Sequence, residues 1–239
     1  MPPRSAVTAV VAAAGSGERL GAGGPKAFVP VAGKPMIEWS IDAFRVCDRV
    51  GSIVVAAPPG HGGDLDGDDL AVVSGGATRT QSVANALEAV ETEYVAIHDA
   101  ARPLVTPALV GALVADLDAN PDAAAVIAAA PVTDTIKRAS VRSLSSDSNE
   151  KEQLKIESTE DRSRLWAAQT PQVFRTDALR AALAAAERPD EATDEATVVE
   201  WSGGIVLIHP VAEPNLKVTT PLDLRVAEQL LVERGARPD

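Results

Sequence analysis

Short apolar runs alternate with segments of helical periodicity along most of the chain. Residues 6–12 are apolar and partly β-branched and run into a glycine-rich stretch, which predicts a buried parallel strand followed by a functional turn. Similar runs predict further strands at residues 53–57, 70–73, 94–98, 123–130 and 205–209. Apolar residues at helical spacing, together with capping residues, predict helices at residues 35–44, 79–90, 106–117, 176–187, 194–201 and from residue 220 onward.

Repeated strand–helix units of this kind predict a three-layer, Rossmann-like α/β fold, in which a mostly parallel sheet carries helices on both faces. Ligands bind such sheets beyond the carboxyl ends of the strands. Gly15 and Asp99 each come shortly after the end of a predicted strand, so both are expected in a ligand site at this edge of the sheet. With 239 residues, 46% of them hydrophobic, residues 1–239 are expected to form one domain around one core.

The pattern breaks between residues 140 and 160. This stretch is rich in Ser, Asp, Glu and Lys and has few large apolar side chains. Such composition predicts either a flexible linker or an arm that a partner stabilises.

Charge and composition narrow the classes of function. A formal net charge of -12 is the wrong sign for a protein held to nucleic acid or anionic lipid by its overall field, so neither is expected as a partner. Cys47 is the only cysteine, which excludes an intrachain disulfide and a cysteine zinc site and fits a reducing, cytoplasmic location. No apolar run approaches the roughly 20 residues that span a bilayer. The apolar run after Arg4 could pass for a signal peptide, but its continuation into the glycine turn favours a buried strand.

The loop after the first strand has the composition of a phosphate site. Residues 12–17 are small, so backbone amides can approach phosphate oxygens without Cβ interference. The loop lacks the Gly-Lys-Ser/Thr of a P-loop, and Leu20 stands where a dinucleotide fingerprint needs its third glycine. Arg19 and Lys26 add two cations, which together could neutralise a triphosphate. The alternative is that both are surface charges in a tight turn.

This loop, followed by Pro25 and Lys26, resembles the signature loop of the sugar-phosphate nucleotidyltransferases. More narrowly, the chain resembles the family of 2-C-methyl-D-erythritol 4-phosphate cytidylyltransferases. Matching motifs recur in order at residues 75–83, 98–103, 134–137, 161–166, 169–172, 193–196 and 215–219.

The resemblance implies transfer of CMP from CTP to 2-C-methyl-D-erythritol 4-phosphate in non-mevalonate isoprenoid precursor biosynthesis. The catalytic cations that it implies are Arg19, Lys26, Arg162 and Lys217. The implied CTP contacts are Ala13, Ala14, Gly15, Gly76 and Ser82. The implied acceptor contacts are Arg102, Thr135, Thr170 and Thr193, although isolated threonines more often cap helices or face solvent.

The resemblance also implies a cofactor and a partner. Asp99 would lie near a bound Mg2+, whereas His98 is interpreted as a strand-end residue. The resemblance further implies an arm at about residues 136–162, with Thr135 just before it and Arg162 at its end, that reaches into the site of a second subunit. It therefore predicts a homodimer.

Two alternatives stay open. The first is a ribitol 5-phosphate cytidylyltransferase, in which the family pattern carries Val where this chain has Ala101. The second is a nucleotide-binding protein of the same fold without activity, which the joint presence of Arg19, Lys26, Arg162 and Lys217 disfavours. A fusion with a cyclase is disfavoured because the chain ends soon after the last predicted helix.

Overall fold

The computed structural model describes residues 7–15, 24–65, 67–144 and 151–235. In chain order, its strands are β1 (Val7–Ala12), β2 (Pro30–Val31), β3 (Lys34–Pro35), β4 (Val50–Ala57), β5 (Leu70–Ser74), β6 (Tyr94–Asp99), β7 (Ala125–Pro131), β8 (Lys137–Leu144), β9 (Lys151–Thr159), β10 (Trp166–Arg175) and β11 (Val206–Pro210). Its α-helices are α1 (Met36–Val46), α2 (Arg79–Leu87), α3 (Pro107–Ala119), α4 (Thr176–Ala185), α5 (Glu195–Trp201) and α6 (Pro221–Gly235). No helix within these ranges is both long and apolar enough to cross a membrane.

Seven strands form the central sheet, in the order β11-β7-β10-β6-β1-β4-β5. The pairs β1–β4, β1–β6, β4–β5 and β7–β11 are parallel, and β10 runs antiparallel to both β6 and β7. The predicted α/β class with a mostly parallel sheet is therefore confirmed.

Helices cover both faces of this sheet because strand residues alternate in direction. Ala9 and Val11 of β1 pack against Ile41 and Phe44 of α1 on one face, where α3 also lies. Val10 belongs to a second core on the opposite face, to which α2, α4 and α5 contribute. The three-layer arrangement that the hydrophobic pattern predicts is thus present.

The sheet brings separate loops to one edge. Ala12, the last residue of β1, is aligned with Ala56 of β4 on one side and with Asp99 of β6 on the other. Because parallel strands end at the same edge, the loops after β1, β4 and β6 meet there. From β1, the chain continues to β4 and β5 on one side of the sheet and then to β6 on the other. A ligand is expected at such a point, where the direction of strand addition changes.

Residues 137–144 and 151–159 form an antiparallel hairpin, β8–β9. The linker interpretation of residues 140–160 is therefore wrong for the described part of this stretch, because its backbone groups pair with each other. Residues 145–150 lie outside the described ranges. A role of the β8–β9 hairpin in joining two subunits stays a prediction.

The central strand β10 is absent from the sequence prediction. Pro171 interrupts its pattern, and proline is normally excluded from central strands because it cannot donate a ladder hydrogen bond. The structure accommodates it by a register shift of β10 on β7 between Ala168 and Gln172. The strand resumes at Gln172, opposite Ile97 of β6 and Ile127 of β7.

Two predicted helix starts are confirmed in detail. Thr106 Oγ1 accepts a hydrogen bond from Leu109 N at 3.2 Å, and Pro107 occupies the first helical position of α3. At α6, Thr220 N donates to Asp223 Oδ2 at 2.8 Å while Asp223 N donates to Thr220 Oγ1 at 3.2 Å, which is a capping box.

Candidate active site

A cleft of about 670 Å3 opens at the carboxyl ends of β1 and β6. It is lined by eight of the residues proposed from the sequence, which are Ala13, Ala14, Gly15, Lys26, Gly76, Ser82, Asp99 and Lys217. Arg79, Thr78, Ala101 and Thr219 also line it. The cleft has the size of a small-molecule site, and its lining combines small apolar side chains with a few charged and hydroxyl groups.

One wall is the loop that follows β1. Ala13 N donates to the carbonyl of Ala56 at 2.9 Å, which holds the start of the loop against β4. Lys26 N donates to the carbonyl of Gly15 at 3.4 Å, and Lys26 begins a short 3-10 turn that ends at Phe28. The lysine is thereby held beside the small-residue backbone. Arg19 lies outside the described residues.

The opposite wall is the turn between β5 and α2. Ser82 Oγ accepts from Gly76 N at 3.0 Å and donates to the carbonyl of Thr78 at 2.8 Å. The hydroxyl of Ser82 therefore fixes the shape of this turn. A Cβ at Gly75 would collide with the Cβ of Ala14, so only glycine lets the two walls approach this closely.

Four charged residues form one hydrogen-bonded cluster, and three of them line the cleft. Asp99 Oδ1 accepts from Arg79 Nε at 2.9 Å, and Asp99 Oδ2 accepts from Lys217 Nζ at 2.6 Å. Arg79 Nη1 also donates to both oxygens of Glu195, at 2.7 and 2.6 Å. We call Asp99, Lys217, Arg79 and Glu195 the charge quartet.

The charge quartet shifts the proton affinities of its members. Burial alone would raise the pKa of Asp99, but the charges of Arg79 and Lys217 outweigh it and hold that pKa well below its ordinary value. Burial opposes the charged form of Arg79, yet Glu195 and Asp99 raise its pKa. For Glu195, burial outweighs the charge of Arg79 and raises the pKa. Asp99 and Arg79 therefore stay ionised at neutral pH.

Arg79 and Glu195 are the functional candidates that sequence reasoning missed. Both fall inside motifs that match the family, but neither received a role. For Arg79, the available signal was its position directly after a glycine turn, at the start of a predicted helix. Nothing in the sequence near Glu195 indicates that its carboxylate is completely buried.

Two predicted acceptor contacts lie behind the cleft instead of on its wall. The buried Thr170 Oγ1 accepts from Asp99 N at 3.0 Å and contacts His98 Nδ1 at 3.2 Å. Arg102 is also largely buried and donates from Nη1 to the carbonyl of Asn215 at 2.7 Å. Both residues support the segments that carry Asp99 and Lys217. A direct contact between either residue and the acceptor stays a prediction.

His98 is confirmed as a strand residue, next to the end of β6. It is completely buried, and this burial lowers the pKa of its imidazole to about 4, so the ring is neutral at neutral pH. Its Nε2 contacts the carbonyl of Arg102 at 3.2 Å. The ring thus links the end of β6 to the loop that follows it.

The remaining predicted residues are exposed and do not line the cleft of their own chain. Thr135 and Arg162 flank the β8–β9 hairpin, and Arg162 Nη1 donates to the carbonyl of Thr133. Thr193 precedes α5, with its hydroxyl 3.5 Å from that of Thr197. The fold of one chain therefore does not place these three side chains on the wall of its cleft.

The residues present fit a metal that arrives with phosphate groups. Within the described ranges, no cluster of three or more His, Cys, Asp or Glu residues could hold a metal ion. Asp99 is the one carboxylate among the described residues that line the cleft. Mg2+ commonly binds through one or two carboxylates together with substrate phosphates, so Asp99 suits that arrangement and not an all-protein cage.

Comparison with known proteins gives one consistent result. The family model described as "IspD: 2-C-methyl-D-erythritol 4-phosphate cytidylyltransferase" matches residues 7–233. A protein of Nocardia farcinica with that enzyme name is 43% identical over 238 residues, which cover 96% of each chain. One from Paraburkholderia phymatum is 40% identical over 244 residues, covering 97% of this chain and 98% of the relative.

Solved structures of the same enzyme resemble this chain along almost its whole length. The crystal structure of 2-C-methyl-D-erythritol 4-phosphate cytidylyltransferase from Thermus thermophilus superposes with a TM-score of 0.73 at 33% identity, covering 93% of this chain and 98% of that one. The corresponding structure from Francisella tularensis gives a TM-score of 0.77 at 27% identity, covering 94% and 99%. Together with the family match over almost the full length, these relationships show that the chain belongs to the 2-C-methyl-D-erythritol 4-phosphate cytidylyltransferase family.

Proposed function

We propose that this protein transfers CMP from CTP to 2-C-methyl-D-erythritol 4-phosphate, giving 4-diphosphocytidyl-2-C-methyl-D-erythritol and pyrophosphate. The observation that carries the proposal is the cleft at the edge of the sheet, where a small-residue loop faces Lys26, Arg79 and Lys217. Membership of the family supports the same reaction. The ligands suited to such a site are several phosphate groups held close together.

The chemistry needs cations more than a base. The acceptor's phosphate monoester, already anionic near neutral pH, attacks the α-phosphorus of CTP in line. A new P–O bond forms there, and the bond to the β-phosphate oxygen breaks, so pyrophosphate leaves with the electron pair. No proton has to be removed from the nucleophile. The barrier comes from bringing two anions together. Positioned cations lower this barrier.

We place the triphosphate along the loop after β1. Amides of residues 13–15 would bind phosphate oxygens, and Lys26 would neutralise charge on the transferring and leaving phosphates, together with Arg19 from outside the described ranges. The cytosine would lie towards Gly76 and Ser82, where the Ser82 hydroxyl fixes the turn. Base selection is then a property of the shape of that turn.

Asp99 would hold Mg2+ together with the phosphates of CTP. When bound, the ion neutralises charge on the triphosphate. Lys217, which the loop after β11 brings to Asp99, would position the attacking phosphate of the acceptor. Thr170 supports this arrangement through its hydrogen bond with the backbone of Asp99.

We further propose a homodimer in which the β8–β9 hairpin of one subunit completes the acceptor half of its partner's site. The paired positions Val141–Leu154 and Ala139–Ile156 place four apolar side chains on one face of the hairpin. Val141, Leu154 and Ile156 are 58%, 78% and 59% exposed in the single chain. A partner that covers this face would remove apolar surface from water and bring Arg162 to the second cleft.

The decisive experiment is pyrophosphate release from CTP and Mg2+, with 2-C-methyl-D-erythritol 4-phosphate and ribitol 5-phosphate offered in parallel. We expect turnover with the methylerythritol compound and little with the ribitol compound. Preference for ribitol 5-phosphate would refute the acceptor assignment. Absence of pyrophosphate with both acceptors would refute the activity, provided that the purified protein is folded.

The Lys26→Ala variant provides the internal control for this assay. It should retain the secondary structure of the wild type and lose most of the rate, because Lys26 lies in the cleft wall. Wild-type activity of this variant would show that the release of pyrophosphate does not depend on the cleft.

A further inference from the structure

Glu195 occupies an unusual position for an acidic residue. It is the first residue of α5, its side chain is completely buried, and it does not line the cleft. Both of its oxygens accept from Arg79 Nη1, so the carboxylate and the guanidinium form a buried ion pair. A buried carboxylate is costly unless it is paired, so the partner explains how the charge is tolerated. It does not explain what the charge does.

The second partner of Arg79, Asp99, indicates what the charge of Glu195 does. Arg79 Nε donates to Asp99 Oδ1, so the guanidinium contacts Glu195 and Asp99 through different nitrogens. The charge quartet contains two carboxylates and two cations and is neutral as a whole. Without the charge of Glu195, the same cluster would carry a net charge of +1 beside the cleft.

A net positive cluster would change the site in a specific direction. It would repel a divalent cation at Asp99, because two full cationic charges would then act on one carboxylate. It would not repel a metal-free triphosphate, which is itself an anion. Loss of the Glu195 charge would therefore weaken binding of the divalent cation without weakening binding of the metal-free triphosphate. A simple loss of packing at α5 would not produce this difference.

We propose that Glu195 is a positioning residue that balances the charge of Arg79 and thereby keeps the Asp99 carboxylate able to hold a divalent cation. This rests on the proposed function, since it takes CTP with Mg2+ as the ligand. Glu195 acts through Arg79 and touches neither substrate nor metal.

The test compares CTP affinity with and without metal by titration calorimetry. CTP is titrated into the protein in the presence of a chelator and again with excess Mg2+, and the ratio of the two dissociation constants is the readout. For Glu195→Gln we expect the gain from Mg2+ to fall about tenfold, with metal-free affinity unchanged or tighter. Glu195→Asp, which keeps the charge, should keep the gain within about threefold of wild type.

Glu200→Gln is the matched control, because Glu200 is an exposed residue of the same helix. It should leave both affinities at the wild-type values. The proposal is overturned if Glu195→Gln retains the wild-type gain from Mg2+, or if it weakens both affinities equally, which is the signature of a purely structural role. A wild-type protein that binds no CTP under either condition would overturn the proposed function as well, which separates the two failures.

Circular dichroism shows whether Glu195→Gln folds. If it does not, the double variant Arg79→Gln, Glu195→Gln is titrated in its place, because removing both charges leaves Asp99 and Lys217 as a neutral pair. Its gain from Mg2+ should lie within about threefold of wild type. A loss of about tenfold or more in this double variant would overturn the charge-balance role.

Discussion

Lys217 Nζ lies 2.6 Å from Asp99 Oδ2, although 118 positions separate the two residues in the sequence. Asp99 ends β6, whereas Lys217 belongs to the segment between β11 and α6. This segment is held in place by the neighbouring residue, since Val218 N donates to the carbonyl of Ala101 at 2.8 Å. The C-terminal part of the chain therefore brings a cation to the carboxyl end of a central strand.

Replacing Lys217 by Met should impair the reaction far more than the fold. The side chain is 41% exposed, so its removal leaves no large buried cavity. Loss of one positioned donor to the reacting phosphates costs about 3 kcal/mol in the barrier, which is roughly a hundredfold in kcat/KM. Steady-state pyrophosphate release and a thermal melt check both parts. Lys34→Met, at a lysine paired with Asp42 away from the cleft, should stay close to wild type.

Mixing two variants, each expected to be inactive alone, tests the proposed sharing of one site between two subunits. Lys26→Ala damages the cleft of its own chain, and Arg162→Ala damages only the hairpin that would reach the partner. After random exchange of subunits, half of the dimers are mixed and each contains one intact site, so we expect about a quarter of the wild-type rate. Activity assays before and after exchange measure this gain. No gain, despite mixed dimers detected by mass spectrometry, would contradict the reciprocal arrangement.

Asp223→Asn should reduce stability in a pH-dependent way. Asp223 Oδ2 accepts from Thr219 N at 2.9 Å, Thr219 Oγ1 at 2.7 Å and Thr220 N at 2.8 Å. These hydrogen bonds, led by the one from the Thr219 side chain, lower its pKa from 3.8 to about 2. Because the folded pKa is depressed, the stabilisation is present above the unfolded pKa and is lost as the pH falls towards 2.

We therefore expect Asp223→Asn to lower the free energy of unfolding by about 1 kcal/mol at pH 7, the usual effect of losing a helix cap. The difference from wild type should shrink as the pH is lowered from 4. Urea unfolding at pH 7 and pH 3 measures it. Asp177→Asn, at a fully exposed residue in the first turn of α4, is the control. An equal difference at both pH values would argue against the carboxylate as the source.

Gly75→Ala tests the close approach of the two cleft walls. The added methyl would collide with the Cβ of Ala14 and lie 3.3 Å from Ser82 Oγ. We expect destabilisation of about 1–3 kcal/mol, as for other overpacked sites, together with weaker CTP binding. In contrast, Gly111→Ala in α3 meets no atom within 4 Å and should raise stability by about 0.5–1 kcal/mol. Unfolding curves and CTP titrations of the two variants provide the comparison.

Sequence reasoning succeeded where a few neighbouring residues decide the structure. The strand β1, the capped start of α3 at Thr106 and the capping box of α6 all appear as predicted. It failed at β10, because the local signal of Pro171 opposes a central strand and only pairing with β6 and β7 overrides it. The β8–β9 hairpin is not predicted for a related reason, since its few apolar residues, such as Val141 and Leu154, share a face only once the two strands pair.

What the sequence by itself determined is the set of local elements, the small-residue loop and the motifs that identify the family. These depend on residues close together in the chain. The tertiary structure alone decided that Arg79 is shared between Asp99 and Glu195, the latter 116 positions away, and that Lys217 reaches the other oxygen of Asp99. The physical reason is that the order of strands in the sheet, and not their order in the chain, determines which charges share one desolvated site.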